Sequence, residues 1–405
     1  MLISRLLILC AIIGLVSCTG FLALLAAAAI RFRRRQSPTP IPDLDLPPVS
    51  LLKPLYGLEP NLEANLESFF LQDYPQYEII FGTRNGDDPA LRLVEAVHRR
   101  HPEIPVKIVY SGEPDCANAK VYSLHHMYLE ASYDYLVMSD SDVLVAPNYI
   151  REVTHPLLDS NVGMVNCIYR GLPTGGFWSS LEALGMSVEM TSGVIVSELL
   201  SGMTFALGPT MAVRRNVLDA VGGMRLLADY CADDYVLGNE IHLSGLKVVL
   251  SSHVIDHVVT NRSLRTSLLH QIRWMKSTRF SRLSGHLGSV LTFAMPWGIL
   301  GAVSAYFAHM NGLAITLISW AILNRILMAA TAGWGVVKDS RSFKLAWLYP
   351  VRDLLGFFVW CASFAGNTIV WRGESYRLLT GGKMLRVDTE SAAPGSTTVA
   401  VNDLP

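Results

Sequence analysis

Three acidic clusters and one basic, aromatic run are the parts of this chain whose residue types and spacing suit chemistry on a charged, polar substrate. Ser139-Asp140-Ser141-Asp142 follows the apolar run Tyr135-Leu136-Val137-Met138, so two carboxylates spaced i and i+2 stand just past a buried strand. Oxygen ligands of this kind suit a hard divalent cation, Mg²⁺ or Mn²⁺, held partly by substrate phosphates. The same tetrapeptide also reads as a solvated turn. Asn85-Gly86-Asp87-Asp88 is a second acidic group, and Ala232-Asp233-Asp234-Tyr235 is a third. The third precedes the helical pattern 236–244, where a helix N-terminus stabilises an anion and where a plain N-cap is the alternative. The run Leu268-Leu269-His270-Gln271-Ile272-Arg273-Trp274-Met275-Lys276 offers a guanidinium for a leaving diphosphate and an indole wall for a sugar or lipid. With Arg262, Arg265, Arg279 and Arg282 around it, the run also suits a simple interfacial anchor.

These groups need strands that end where they stand. β-rich runs at 49–53, 77–83, 106–110 and 135–139 alternate with helical patterns at 61–70, 90–100 and 117–131. That alternation predicts an α/β fold built on a mostly parallel sheet, with ligands at the carboxyl ends of the strands. The first two acidic clusters, at 139–142 and 85–88, fall at those ends. A proline-rich polar stretch at 36–48 reads as an extended linker in front of the domain.

The chain has 405 residues, of which 51% are hydrophobic and 17% charged, and its mean hydropathy is +0.33. Such a composition excludes a disordered or collagen-like chain. Lys+Arg (33) and Asp+Glu (34) nearly cancel, so nothing here marks a nucleic-acid-binding face. The six cysteines lack metal-site spacing, which reads as reduced thiols rather than a disulfide framework.

Residues 6–30 carry no charge and form about 37 Å of helix, enough to cross a ~30 Å hydrocarbon core. Arg31, Arg33, Arg34 and Arg35 follow directly, a stop-transfer pattern that places the next segment in the cytoplasm. Further apolar runs occupy 287–306, 312–337 (broken by Asn324-Arg325) and 354–371. Basic residues follow both of the last two runs, so a full crossing by the final run would conflict with the positive-inside rule; a re-entrant or interfacial segment would not. Arg325 inside an apolar run needs a partner, and Asp353 is the nearest acidic candidate in sequence. The expected organisation is an N-terminal anchor (1–35), a linker (36–48), a catalytic domain (49–286), membrane segments (287–371) and a basic tail (372–405) disordered from about 389.

Taken in order, these motifs resemble the membrane-bound GT-A glycosyltransferases of the family-2/21 type, particularly the ceramide glucosyltransferases and the bacterial hopanoid-associated glycosyltransferases. The resemblance spans roughly residues 49–386. It rests on the three aspartate groups, the Arg273-Trp274 motif, Leu51-Leu52-Lys53-Pro54-Leu55-x-Gly57, Asp73-Tyr74-Pro75, Asp87-Asp88-Pro89-Ala90, Asn118-x-Lys120, Gly171-Leu172-Pro173 and the stretch 217–223. It implies that Asp88 contacts uracil, Asp140 the ribose or sugar, and Asn118 and Lys120 the nucleotide sugar. It further implies that Asp142, with Asp140, holds Mg²⁺ or Mn²⁺, that Asp234 is the catalytic base, and that His270, Gln271, Arg273 and Trp274 meet the diphosphate or the acceptor. Two positions depart from the family pattern: Asn85 stands where an acid is common, and His270 where Gln or Arg is usual.

The implied activity is inverting transfer of a hexose or N-acetylhexosamine from a UDP-sugar to the hydroxyl of a membrane lipid, ceramide or a bacteriohopanepolyol. The implied location is a multi-pass protein with its catalytic domain in the cytoplasm, in a bacterial inner membrane. A processive polysaccharide synthase shares the motifs but needs a translocation channel built from more spans. A catalytically silent membrane scaffold predicts losses among Asp140, Asp142 and Asp234, all of which are present.

Overall fold

The computed structural model describes residues 2–35 and 45–387; most of the expected linker (36–44) and the expected disordered stretch from 389 lie outside the described residues. Eight strands form the main sheet: β1 (Val49–Pro54), β2 (Tyr77–Thr83), β3 (Val106–Tyr110), β4 (Tyr135–Ser139), β5 (Val143–Leu144), β6 (Val162–Pro173), β7 (Thr210–Arg214) and β8 (Lys247–Val259). Their order is β3-β2-β1-β4-β7-β6-β8-β5. The first four pair in parallel, joined through the helices Leu62–Phe70, Ala90–Arg100 and Ala119–Glu130, as the alternating pattern predicts. From β4 onward the sheet is mixed: β7 runs antiparallel to both β4 and β6, while β6 and β8 are parallel. β1 and β2 are buried almost throughout, which is why they read as near-continuous apolar runs rather than alternating ones.

Among the described residues three helices are long and apolar enough to cross a membrane: Leu2–Arg34, Phe177–Ser201 and Asn311–Trp334. Leu283–Thr292 and Ala294–Phe307 form a further pair, bent by 50° at Phe293, so the run 287–306 is broken rather than straight. Leu2–Arg34 packs on Ala294–Phe307, which in turn packs on Asn311–Met328. Small residues permit the approach, since a Cβ on Gly298 would collide with Ala321 and one on Gly301 would lie 2.9 Å from the Ala11 methyl. Arg325 does pair with Asp353, Nη1 to Oδ1 at 2.9 Å, and both side chains are 1% exposed. The other Asp353 oxygen accepts from the Met295 N–H at 2.8 Å, and Arg325 also donates to the Thr292 carbonyl at 2.7 Å.

Two expectations need correction here. The run 354–371 is not one segment: its helix, Tyr349–Ala362, has 14 residues, about 21 Å, too short to span. The chain then breaks at Ser363–Asn367 and enters a three-stranded antiparallel sheet of β9 (Thr368–Trp371), β10 (Glu374–Leu378) and β11 (Met384–Arg386). Membrane segments therefore stop short of Trp371, and residues 372–386 are a folded part of the catalytic domain rather than a tail. Met384 N–H donates to the Asp229 carbonyl (2.7 Å), Cys231 N–H to that of Gly382 (3.1 Å), and Gly381 N–H to that of Phe280 (3.1 Å). Ile369, Tyr376, Leu378 and Met384 close a small core against Ala117, Cys231 and Phe280.

Candidate active site

The carboxyl end of β4 presents Asp140 and Asp142 where the strand pattern placed them. Lys120 Nζ lies 2.6 Å from Asp140 Oδ1 and 3.8 Å from Asp233 Oδ2, linking two acidic clusters through one ammonium. These carboxylates hold the Lys120 pKa above its usual value against the cost of burial. Lys120 sits in the first turn of its helix because Asn118 caps that turn, accepting from the Lys120 and Val121 N–H groups at 3.1 Å each. The Asn118 amide donates to the Tyr230 carbonyl at 2.9 Å, and the residue is fully buried. Asn118 has no exposed surface, and its cap positions Lys120.

A second lysine escaped the sequence reading. Lys53, buried near the end of β1, donates to the Asp140 carbonyl and lies 3.6 Å from the Phe69 ring centroid. Burial pushes its pKa down to about 7, with Asp140 and Asp142 opposing. A lone lysine between leucines and a proline is the only local sign of it.

Asp142 Oδ1 is buried without a partner, while Oδ2 is 3.5 Å from His257 Nε2. His257, on β8, is held by Tyr169 (ring centroids 5.3 Å) and stands edge-on to Trp274. Two carboxylates on one loop, one with a free buried oxygen and an imidazole beside it, are a donor set that fits a divalent cation. Among the described residues no three His, Cys, Asp or Glu side chains are already gathered around one point. A ligand bringing its own oxygens would complete such a site.

Asp233 and Asp234 open the helix Asp233–Leu243. Asp234 Oδ2 accepts from the Gly208 N–H at 2.7 Å and Oδ1 from the Tyr235 N–H at 2.8 Å. Gly208 allows this approach, since a Cβ there would lie 3.1 Å from that carboxylate. Burial first, then the neighbouring Asp233, push the Asp234 pKa up to about 6, opposed by Lys120 and the two N–H groups. Burial also raises Asp233, with Lys120 opposing.

Asp88 is held by backbone donors. Its two oxygens take the Gly57 N–H at 3.0 and 3.1 Å, and Oδ1 also takes the Ala90 N–H at 2.9 Å, tying the loop after β1 to the start of the helix Ala90–Arg100. These bonds fix the half-buried Asp88 carboxylate next to Tyr56, at the side of a cleft. That cleft is lined by Tyr56, Arg84 and Lys120 on one side and by Trp371, Arg372 and Tyr376 of the C-terminal sheet on the other.

The helix Leu264–Ser281 begins with a capping box between Ser263 and Thr266. His270 Nδ1 lies 2.6 Å from Glu182 Oε1, and its ring centroid is 4.3 Å from that of Trp274. Glu182, 2% exposed, also accepts from Ser267 Oγ at 2.6 Å and from the Asn261 amide at 2.9 and 3.1 Å. Gln271 is buried and donates to Ser267 Oγ at 2.9 Å, bracing this network. Arg273 points the other way, 5.6 Å from the Trp371 ring centroid, with its pKa held below the usual value by burial. The structure thus gathers Lys120, Asp140, Asp142, Asp233 and Asp234 in one cluster and sets His270 and Trp274 along one helix face. Lys53, His257, Glu182, Trp371 and Arg372 are the site residues that the sequence alone did not reveal.

A family model for glycosyl transferase family 21 matches residues 6–384. Ceramide glucosyltransferase 1 of Caenorhabditis elegans is 26% identical over 356 residues, covering 85% of this chain and 74% of that protein. The ceramide glucosyltransferase of Komagataella phaffii is 24% identical over 428 residues, covering 83% of this chain and 84% of that protein. In fold, the chain resembles a mannosyltransferase from Pyrobaculum calidifontis solved with GDP-Man and Mn²⁺, with a TM-score of 0.53 at 17% identity over 88% of this chain and 98% of the other. The mixed α/β sheet with acidic residues at its strand ends is of the GT-A type, and a match running from the first helix to the last strand places the chain in glycosyl transferase family 21, as a hexosyltransferase enzyme.

Proposed function

We propose that the enzyme transfers one hexose or N-acetylhexosamine from a UDP-sugar, with inversion, to the hydroxyl of a membrane lipid of the ceramide or bacteriohopanepolyol type. The observation that carries this reading is Asp234, a carboxylate fixed by the Gly208 and Tyr235 N–H groups with its pKa pushed up to about 6. A lipid hydroxyl is a poor nucleophile near neutrality, and a base whose pKa approaches the working pH is suited to take its proton. As that proton passes to Asp234, the lipid oxygen bonds to the anomeric carbon and the bond to the diphosphate breaks, the electron pair leaving with UDP. One in-line displacement inverts the centre. Arg273 offsets the charge that develops on the leaving diphosphate, and Lys120 holds Asp140 in place. A Mg²⁺ or Mn²⁺ held by Asp142 and Asp140, with His257 alongside, would neutralise part of that charge when bound.

Two features support a lipid acceptor. Curated relatives at this coverage are named ceramide glucosyltransferases. The helix Leu264–Ser281 also packs directly on the apolar helices Tyr349–Ala362 and Phe177–Gly185, so the site borders the membrane region. We place three crossings at Leu2–Arg34, the bent pair 283–307 and Asn311–Trp334, with Tyr349–Ala362 interfacial. That arrangement puts Arg31 to Arg35, Lys338, Arg341, Lys344 and the basic residues of 372–386 all on the cytoplasmic side, in agreement with the positive-inside rule. The catalytic unit is then 49–282 together with 368–386.

The test is to incubate the detergent-purified enzyme with UDP-glucose or UDP-N-acetylglucosamine and each lipid, then to identify products by mass spectrometry and anomers by NMR. A singly glycosylated lipid of inverted configuration is expected. Free sugar alone, a polymer, or retained configuration would overturn the reading.

A further inference from the structure

β9 and β10 are joined by a two-residue turn, with Trp371 paired to Glu374 across it. The turn residues, Arg372 and Gly373, have φ of +51° and +81°. Two successive left-handed residues are what a tight hairpin requires, and Asn or Gly is favoured at the first of them. An arginine there is held against its backbone preference, and such outliers collect where a side chain has work at a site.

The tip stands at a cleft. Arg372 and Trp371 line it opposite Tyr56, Arg84 and Lys120, and the Arg372 guanidinium lies 4.7 Å from the Tyr56 ring centroid. Trp371 in turn carries the Arg273 guanidinium on its face. The other charges here are matched: Lys120 by Asp140, Arg84 by Glu113 at 3.3 Å, and Glu374 by Arg386 at 2.9 Å and the Tyr376 hydroxyl at 2.5 Å. Among the described residues neither Arg273 nor Arg372 has a carboxylate within ion-pair distance; burial, with the Arg372 charge nearby, lowers the Arg273 pKa, and Arg372 acts on the buried Glu59 carboxylate only from beyond contact range. Arg372 lines the cleft and Arg273 lies against the ring of Trp371 in its wall, and two guanidiniums without a contacting carboxylate beside one cleft suit an anion with more than one negative centre. The three-stranded sheet is anchored to the catalytic domain by the hydrogen bonds of Met384, Gly382 and Gly381 and by Lys276, which donates to the Thr368 carbonyl of β9 at 3.0 Å.

We propose that Arg372, at the tip of the C-terminal hairpin, is a donor-site residue that binds the diphosphate of the nucleotide sugar together with Arg273, with Trp371 steadying the Arg273 guanidinium. This assignment rests on the nucleotide-sugar reading above and extends the donor site to a segment that follows the membrane helices in the chain.

The experiment is calorimetric titration of the full chain in detergent, with Mg²⁺ present, using UDP, GDP and uridine against wild type, Arg372→Asn, Arg372→Lys and, as a control on the same hairpin, Arg377→Ala. Arg372→Asn removes the cation while supplying a residue the turn prefers, so its melting temperature should equal or exceed that of wild type. Its UDP affinity should fall about 10- to 100-fold, with uridine affinity unchanged, donor KM raised and lipid KM unmoved. Arg372→Lys should be intermediate, since an ammonium is a point charge without the guanidinium fork, and Arg377→Ala should match wild type. UDP affinity within twofold of wild type in Arg372→Asn, or an equal loss of uridine affinity, overturns the assignment. If wild type prefers GDP, the same comparison is read on GDP and only the choice of base is revised. If wild type binds neither diphosphate, the nucleotide-sugar reading itself fails.

Discussion

Asp234 is held between opposed influences: burial and Asp233 favour the protonated form, while Lys120 and two backbone N–H groups favour the carboxylate. Asp234→Asn should therefore lower transfer by about 10²-fold or more while UDP affinity stays within about threefold, measured by product formation and by titration. Wild-type kcat/KM should fall on an acidic limb near pH 6, where the base becomes protonated, rather than near 4. The sign for stability runs the other way. A carboxyl whose folded pKa lies above its unfolded value binds more protons when folded, so wild type loses stability as pH rises from about 4 through 6. The melting temperature of Asp234→Asn relative to wild type should rise across that window. His270 gives a second prediction. A glutamine there can still donate to Glu182, so His270→Gln should keep kcat/KM within about threefold of wild type, measured by product formation. Glu182→Leu leaves Asn261, Ser267 and His270 facing an apolar group and should cost at least about tenfold in kcat/KM. Asp140, Asp142 and Asp234 were legible because each lies in an acidic cluster beside an apolar strand or a helical pattern. Lys53, His257 and Glu182 were not, because none of them stands in a recognisable motif of its own chemistry and their partners come from far along the chain.

At the scale of the element, the helix Ala119–Glu130 carries Lys120 to Asp140 only as well as Asn118 starts it. Asn118→Ala should cost about 1 kcal/mol of stability through the lost cap and also raise donor KM by misplacing Lys120, with lipid KM unaffected. Thermal melting and steady-state kinetics with each substrate varied check this. The first four strands and their helices were legible because short apolar runs alternate with helical periods there. β6 and β8 were harder, since their pairing shifts register at Val162/Met164 and Cys167/Ile168, and each shift interrupts the two-residue alternation that marks a strand. In 354–371 hydropathy alone merges a helix with the strand that follows, because apolar runs of either kind look alike without a periodicity to separate them. Phe177–Ser201 was missed for the opposite reason: Glu182, Glu189 and Glu198 interrupt its apolar run, and their partners, His270, Arg352 and Arg35, lie on or just after other helices.

For the whole molecule, the Arg325–Asp353 pair fastens the helix Asn311–Met328 to Tyr349–Ala362, and through Met295 and Thr292 to the bent pair between them. Removing either partner should cost about 3–5 kcal/mol, because the other charge is left buried alone. Arg325→Gln combined with Asp353→Asn should cost less than the sum of the two, and a double-mutant cycle on detergent melting temperatures reads the difference. Additive losses would mean that the two charges do not depend on each other. The C-terminal sheet has a consequence in time as well as in space. β11 docks on the backbone at Asp229, yet the ribosome makes it only after the helices 294–307, 311–328 and 349–362. At about 5–20 residues per second, the β-sheet core emerges many seconds before its last wall. Every newly made molecule thus passes through an interval in which it has its aspartates but an unwalled cleft, and chains halted in the membrane helices never leave that state.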